Sequence, residues 1–168
     1  MISAIVCTDQ NYGIGYKNEL LINIKEDLQH FKNLTTNNIV IMGRKTYESL
    51  PKRPLPNRIN FVVTHNPIKT DEDVVYVTLD EVKTWLSKTA PKTSKNIFVM
   101  GGESIYKELL PYCDNVYLTR VYKSFENVDT YFPNLNTDNT WKLSSTSDVK
   151  EDNGVRYQFC TFDKVRGR

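Results

Sequence analysis

IFVMGGESIYKELLP (97–111) decides the fold. It joins a β-branched and aromatic run, two adjacent glycines, and then Ile105, Tyr106 and Leu109 at helical spacing before Pro111. An apolar run that stops at glycine and passes directly into a helix is the strand–turn–helix unit of an α/β sheet. IVIMGRKTYESL (39–50) repeats the form: a strand at 39–42, Gly43, and a short helix at 45–50 ended by Pro51. Open α/β sheets place ligands beyond such strand ends, so both glycine turns are candidate site segments.

Working outward, ISAIVC (2–7) reads as a strand and TDQNYGIGYKN (8–18) as a polar loop bearing glycines. Leu28, Phe31 and Leu34 form the apolar stripe of a helix over 25–34. INFVVT (59–64), VVYV (74–77) and NVYLTRVY (115–122) are further strands. Thr78 with Glu81 three residues on predicts a capping box for the helix DEVKTWLSK (80–88). YQFCTF (157–162) is the last strand, paired through a turn around Asp152-Asn153-Gly154 with the segment near Trp141–Ser147. Strands alternate with helices in the first two thirds and then dominate. The expected fold is a three-layer α/β domain with a mainly parallel sheet and an antiparallel C-terminal edge. It spans 1–163 as one domain, followed by a solvated basic tail, KVRGR (164–168).

The 168 residues, 39% of them hydrophobic and 25% charged, suit one globular domain with a full core. With 22 Lys and Arg against 20 Asp and Glu, the net charge of +2 argues against a nucleic-acid partner. Cys7, Cys113 and Cys160 are odd in number and form no CxxC or metal-ligand spacing, which points to a reducing compartment. MISAIVCTDQ (1–10) has no basic leader, and no apolar run approaches ~18 residues. A cytoplasmic protein with no membrane partner is expected.

Gly43-Arg44-Lys45-Thr46 reads either as an anion site or as a solvated basic turn. Gly101-Gly102 allows close approach to a dinucleotide, or is a plain tight turn; neither segment is a GxGxxG or phosphate-binding loop. Asp27 falls at the edge of the apolar stripe, as a ligand-facing acid or as a helix cap or surface charge, while Glu26 points elsewhere. His30 is expected to be solvated, and His65 at a strand end suits an anion pocket or an ordinary loop. No metal site or nucleophilic triad is indicated.

Taken in order, NYGIGYKNEL (11–20), DLQHFK (27–32), VIMGRKTYESL (40–50), RPLPNR (53–58), VMGGESIYKELLP (99–111), YLTRV (117–121) and DTYFP (129–133) resemble the dihydrofolate reductase family from Met1 to about Phe162. The resemblance implies an eight-stranded, mostly parallel sheet whose C-terminal strand is antiparallel. It implies NADPH-dependent reduction of 7,8-dihydrofolate to tetrahydrofolate, with hydride transfer to C6 and protonation at N5, in a monomer that also binds antifolate-type small molecules. On this basis Asp27 is the catalytic acid that holds the pterin, supported by Thr119. Ile5, Val6, Leu28, Phe31, Leu50 and Met100 contact the substrate rings, and Arg58 clamps the glutamate α-carboxylate. The cofactor side takes Cys7, Ile14, Gly15, Asn18, Gly43, Arg44, Lys45, Thr46, Thr64, His65, Met100, Gly101, Gly102, Glu103, Ser104, Ile105 and Tyr106. Gly101-Gly102 resembles the family's non-proline cis peptide, and the loop 9–24 resembles a mobile loop that closes over the nicotinamide.

One departure stands out. Where much of the family has tryptophan, this chain has Ile22, in Leu20-Leu21-Ile22. The family tryptophan donates to an ordered water near the substrate acid, and Ile22 has no donor. The expectation is that fold and activity survive with altered proton supply or antifolate affinity.

Overall fold

The computed structural model describes residues 1–67 and 73–165. Its strands are β1 (Ile2–Thr8), β2 (Gly13–Tyr16), β3 (Glu19–Leu20), β4 (Ile39–Gly43), β5 (Ile59–Val63), β6 (Val74–Val77), β7 (Ile97–Val99), β8 (Asn115–Val121), β9 (Thr130–Tyr131), β10 (Trp141–Thr146), β11 (Lys150–Asp152) and β12 (Val155–Lys164). The α-helices are α1 (Lys25–Thr35), α2 (Arg44–Ser49), α3 (Leu79–Lys88) and α4 (Glu103–Leu109).

The main sheet runs β10-β12-β8-β1-β7-β4-β5-β6, with β11 paired to β12 off that path. Every pairing from β8 to β6 is parallel, and both pairings of β12 on the path are antiparallel. β12 is thus the strand that runs against the others. Helices on both faces bury both sides of the central strands, which is why these read as unbroken apolar runs. On β4, Ile39 and Ile41 join one cluster with Val82 and Leu86 of α3 and Ile105 and Leu109 of α4. Val40 and Met42 join the opposite cluster, against Phe31 and Leu34 of α1 and Tyr47 of α2. The three layers follow from that alternation.

The capping box forms as expected. Thr78 Oγ1 accepts from the Glu81 N–H at 3.1 Å, and Glu81 Oε1 accepts from the Thr78 N–H at 2.8 Å. The stretch 8–18 is not all loop: β2 pairs with β3 and β9 in a separate three-stranded sheet. Lys17 and Asn18, at φ 49° and 64°, turn the β2–β3 hairpin. A Cβ on Gly13 would lie 2.8 Å from Val128, so this strand needs glycine and carries no hydrophobic periodicity to reveal it.

At the C-terminus, the turn at Asn153 and Gly154 joins β11 to β12, while β10 pairs further along β12 through Trp141↔Lys164 and Thr146↔Cys160. The expected pairing is present, but its turn closes a different hairpin. Lys164 belongs to β12 and donates to the Pro111 carbonyl at 2.6 Å, and residues 166–168 of the basic tail lie outside the described residues. All three cysteines are free. No helix among the described residues is long and apolar enough to cross a membrane.

Candidate active site

A cleft of about 660 Å³ opens at the C-terminal ends of β1, β4, β5 and β7, roofed by the β2–β3 hairpin. Val6 and Cys7 come from β1, Gly43–Thr46 from the end of β4, Thr64 and His65 from the end of β5, and Met100–Tyr106 from the turn after β7. Ile14, Gly15 and Asn18 reach in from the hairpin, so every residue expected on the cofactor side lines this one space. Glu19, Ser49, Leu79 and Thr130 line it too. They escape sequence reading because they come from a hairpin, two helix ends and a side strand that meet only in the fold.

The two glycine turns meet at its floor. The Gly43 N–H donates to the Gly101 carbonyl at 2.8 Å, and the Gly101–Gly102 peptide is cis. Gly101 has φ 118°, and a Cβ there would sit 3.2 Å from the Tyr106 ring. A Cβ on Gly43 would stand 3.1 Å from Ile105. The ring of Tyr106 is buried edge-on to Phe132, and its hydroxyl donates to the Ile5 carbonyl at 2.7 Å. Burial pushes that phenol well above its usual range. The polar groups at the mouth are exposed: Arg44 pairs with Glu48 at 2.9 Å, and His65 lies open to solvent. Asn18 Nδ2 donates across the mouth to the Lys45 carbonyl at 3.2 Å.

Of the expected substrate residues, Val6 and Met100 line the cleft, while Ile5, Asp27, Leu28, Phe31, Leu50, Arg58 and Thr119 do not. Ile5, Phe31, Leu50 and Met100 share one apolar cluster, which carries the wall from the cleft towards α1. Thr119 Oγ1 donates to Asp27 Oδ1 at 2.5 Å. Burial raises the Asp27 pKa, opposed by the Thr119 bond, the charge of His30 and the nearby Cys7 thiol. Leu28 is 48% exposed, so the stripe of α1 is not wholly buried and its first residue faces open space. Arg58 donates through Nε to the Pro56 carbonyl at 2.9 Å and through Nη1 to Thr35 Oγ1 at 3.1 Å. Its guanidinium carbon lies 5.8 Å from the Phe31 ring centroid.

Two expectations about α1 resolve differently. Glu26 does point away, accepting from the Tyr157 hydroxyl at 2.5 Å and pairing with Lys150 at 3.4 Å. His30 is half-buried rather than freely solvated: its ring packs on Phe159 with centroids 4.3 Å apart, and burial lowers its pKa against the pull of Asp27 and Glu26. The sequence offered no sign of this, because the apolar surface beneath His30 belongs to β12, at the far end of the chain. Ile22 packs with Ile24, Val121 and Tyr157. It also borders a small cavity shared with Cys7 and Thr8, and the buried Thr8 hydroxyl has no partner among the described residues. No cluster of potential metal ligands occurs among the described residues.

A family model described as "Dihydrofolate reductase" matches residues 1–164. A dihydrofolate reductase of Bacillus subtilis is 38% identical over 167 residues, covering 98% of this chain and 95% of that protein. A type 9 dihydrofolate reductase of Escherichia coli is 37% identical, covering 94% and 90%. A bifunctional dihydrofolate reductase-thymidylate synthase of Paramecium tetraurelia is 36% identical over 159 residues, and the chain spans 33% of its length. Among solved structures, a dihydrofolate reductase from Enterococcus faecalis complexed with NADP(H) and RAB-propyl superposes with a TM-score of 0.84 at 31% identity, covering 98% of this chain and 96% of that one.

Proposed function

The chain belongs to the dihydrofolate reductase family, and we infer that it reduces 7,8-dihydrofolate to tetrahydrofolate with NADPH, using the cleft and the Asp27 region beside it. The observation that carries this reading is their junction at the end of β1. Cys7 borders the cleft, and the same strand end lies against a half-buried carboxylate. The two ligands of a hydride transfer must meet at such a junction.

The cleft fits NADPH in shape and charge. Its floor at Gly43 and Gly101 has no room for side chains of its own, and Arg44, Lys45 and His65 stand at the mouth. Arg44 and Lys45 would hold the 2′-phosphate, with Thr46, Thr64 and His65 lining the same side. That phosphate would add an anion for Lys45 and for Arg44 beyond its exposed Glu48 partner, which favours NADPH over NADH. When bound, NADPH supplies the hydride that reaches C6 of the pterin.

The chain supplies the rest. Asp27 accepts from the 2-amino group and N3–H of the pterin, while Thr119 holds its Oδ1 from the sheet side. A carboxyl whose pKa is raised by burial keeps its proton closer to neutrality, so Asp27 promotes protonation at N5 through water. Ile5, Phe31, Leu50 and Met100 present the apolar wall that keeps bulk water from the rings. The planar fork of Arg58, steadied by Pro56 and Thr35, matches the geometry of the substrate's α-carboxylate. We place the enzyme in the cytoplasm, a reading supported by its three free thiols, and take it to act as a monomer. Sedimentation of the purified protein tests the assembly state. The decisive test of function is NADPH absorbance with and without dihydrofolate: loss that depends on dihydrofolate supports the reading, and none overturns it.

A further inference from the structure

Cys7, Thr119 and Phe159 are direct partners across three adjacent strands, β1, β8 and β12. Side chains of paired residues leave the sheet on the same face, here the face covered by α1. Asp27 sits over Thr119, the β8 partner of Cys7, and His30, three residues on, sits over Phe159. Of the row of three, only Cys7 also lines the cleft, and it borders the small cavity beside Ile22 as well.

We propose that Cys7 is a positioning residue for the reduction, its thiol acting as a second donor that pins the Asp27 carboxylate from the cleft side. The inference rests on the function argued above. A carboxylate held by Thr119 alone can swing about that one bond. A second donor on the neighbouring strand fixes its plane and so decides which lone pairs face the pterin. Ile22 brings no donor to this corner, which leaves the side-chain donors to the sheet. The thiol suits the task because it stays protonated: burial pushes its pKa up, and the charge of Asp27 adds to the effect. It acts as a neutral donor and not as a nucleophile.

The groups that share the field of Asp27 are His30 on α1, Tyr157 on β12, Tyr106 on α4 and Cys7 itself, while Glu26 acts on His30 and Tyr157. Lys150 on β11 is engaged by Glu26. Among the described residues Thr119 bonds Asp27 directly, and Cys7 is its partner on the adjacent strand. A thiol donor at Cys7 favours the ionised carboxylate, so its removal raises the pKa of Asp27.

The test compares Cys7→Ala and Cys7→Ser with the unaltered enzyme in two measurements. The first is the pH profile of single-turnover hydride transfer, with KM and kcat for dihydrofolate. The second is the carboxyl ¹³C titration of Asp27 in ligand-free protein. The alanine variant should move the Asp27 midpoint and the kinetic pH limb upward and raise KM for dihydrofolate by about 2- to 10-fold, the range of one modest hydrogen bond. Serine, a stronger donor of similar size, should return both towards or below the original values. An Asp27 titration in Cys7→Ala that superimposes on the original overturns the proposal, as does a serine variant that behaves like alanine. The titration needs no turnover, so it still decides on Cys7 if the unaltered protein proves inactive with dihydrofolate, a result that would count against the function instead.

Discussion

Replacing Asp27 with asparagine removes one charge from a site where burial already disfavours it. Asparagine keeps one acceptor oxygen and turns the other into a donor amide, which cannot accept from both Thr119 and the pterin. Hydrogen bonds to a charged group contribute about 1.5–3 kcal/mol. Losing one of them towards the substrate lowers kcat/KM by roughly 10- to 150-fold at any pH. The proton supply adds a second, pH-dependent loss, large at neutral pH and vanishing at acid pH, where the substrate arrives protonated. Stability should change in the opposite sense. The folded pKa of Asp27 is raised, so its favourable contribution is complete below the ordinary carboxylate pKa and is lost as pH rises through the folded value. The asparagine variant avoids that loss and should melt higher at neutral pH, by about 2–4 °C for each kcal/mol recovered, with the difference closing at acid pH. Stopped-flow hydride transfer and thermal melts across pH test both halves. An equal kinetic loss at every pH, or a lower Tm at neutral pH, refutes the assigned role.

Other substitutions probe the remaining parts of the site. Ile22→Trp brings an indole donor to the corner beside Cys7 and Thr8, and should extend hydride transfer to higher pH or alter antifolate affinity; an unchanged profile and unchanged affinity in inhibitor titrations rule this out. Arg58→Lys loses the planar fork and should raise KM for dihydrofolate about tenfold or more in steady-state assays, with a smaller change in kcat. Arg44→Ala removes only an exposed pair with Glu48, so the Tm should hardly move, while KM should rise more for NADPH than for NADH. Gly101→Ala forces a side chain into φ 118° against the Tyr106 ring, and denaturant unfolding should show a loss of roughly 1–3 kcal/mol.

Much of this protein is local, and local structure is legible in sequence. The strand–glycine–helix units at 39–50 and 97–111, and the capping box at Thr78 and Glu81, depend on residues within a few positions of one another. Because the strands are parallel, their C-terminal ends share one edge, so the cleft residues after β4 and β7 are brought together by topology alone. What the tertiary structure decided lies across long separations. β2 exists only because β3 and β9 flank it, and Leu28 stays open because no described residue covers its side of α1. The surroundings of Asp27 are the clearest case. Cys7, Thr119 and Phe159 lie far apart in the chain and become neighbours through the register of β1, β8 and β12. The sequence named the acid and the turns around it. Thr119 beside that acid was implied only by family resemblance, while the seat of Cys7 next to it and the ring beneath His30 follow from strand pairing, which a linear pattern does not encode.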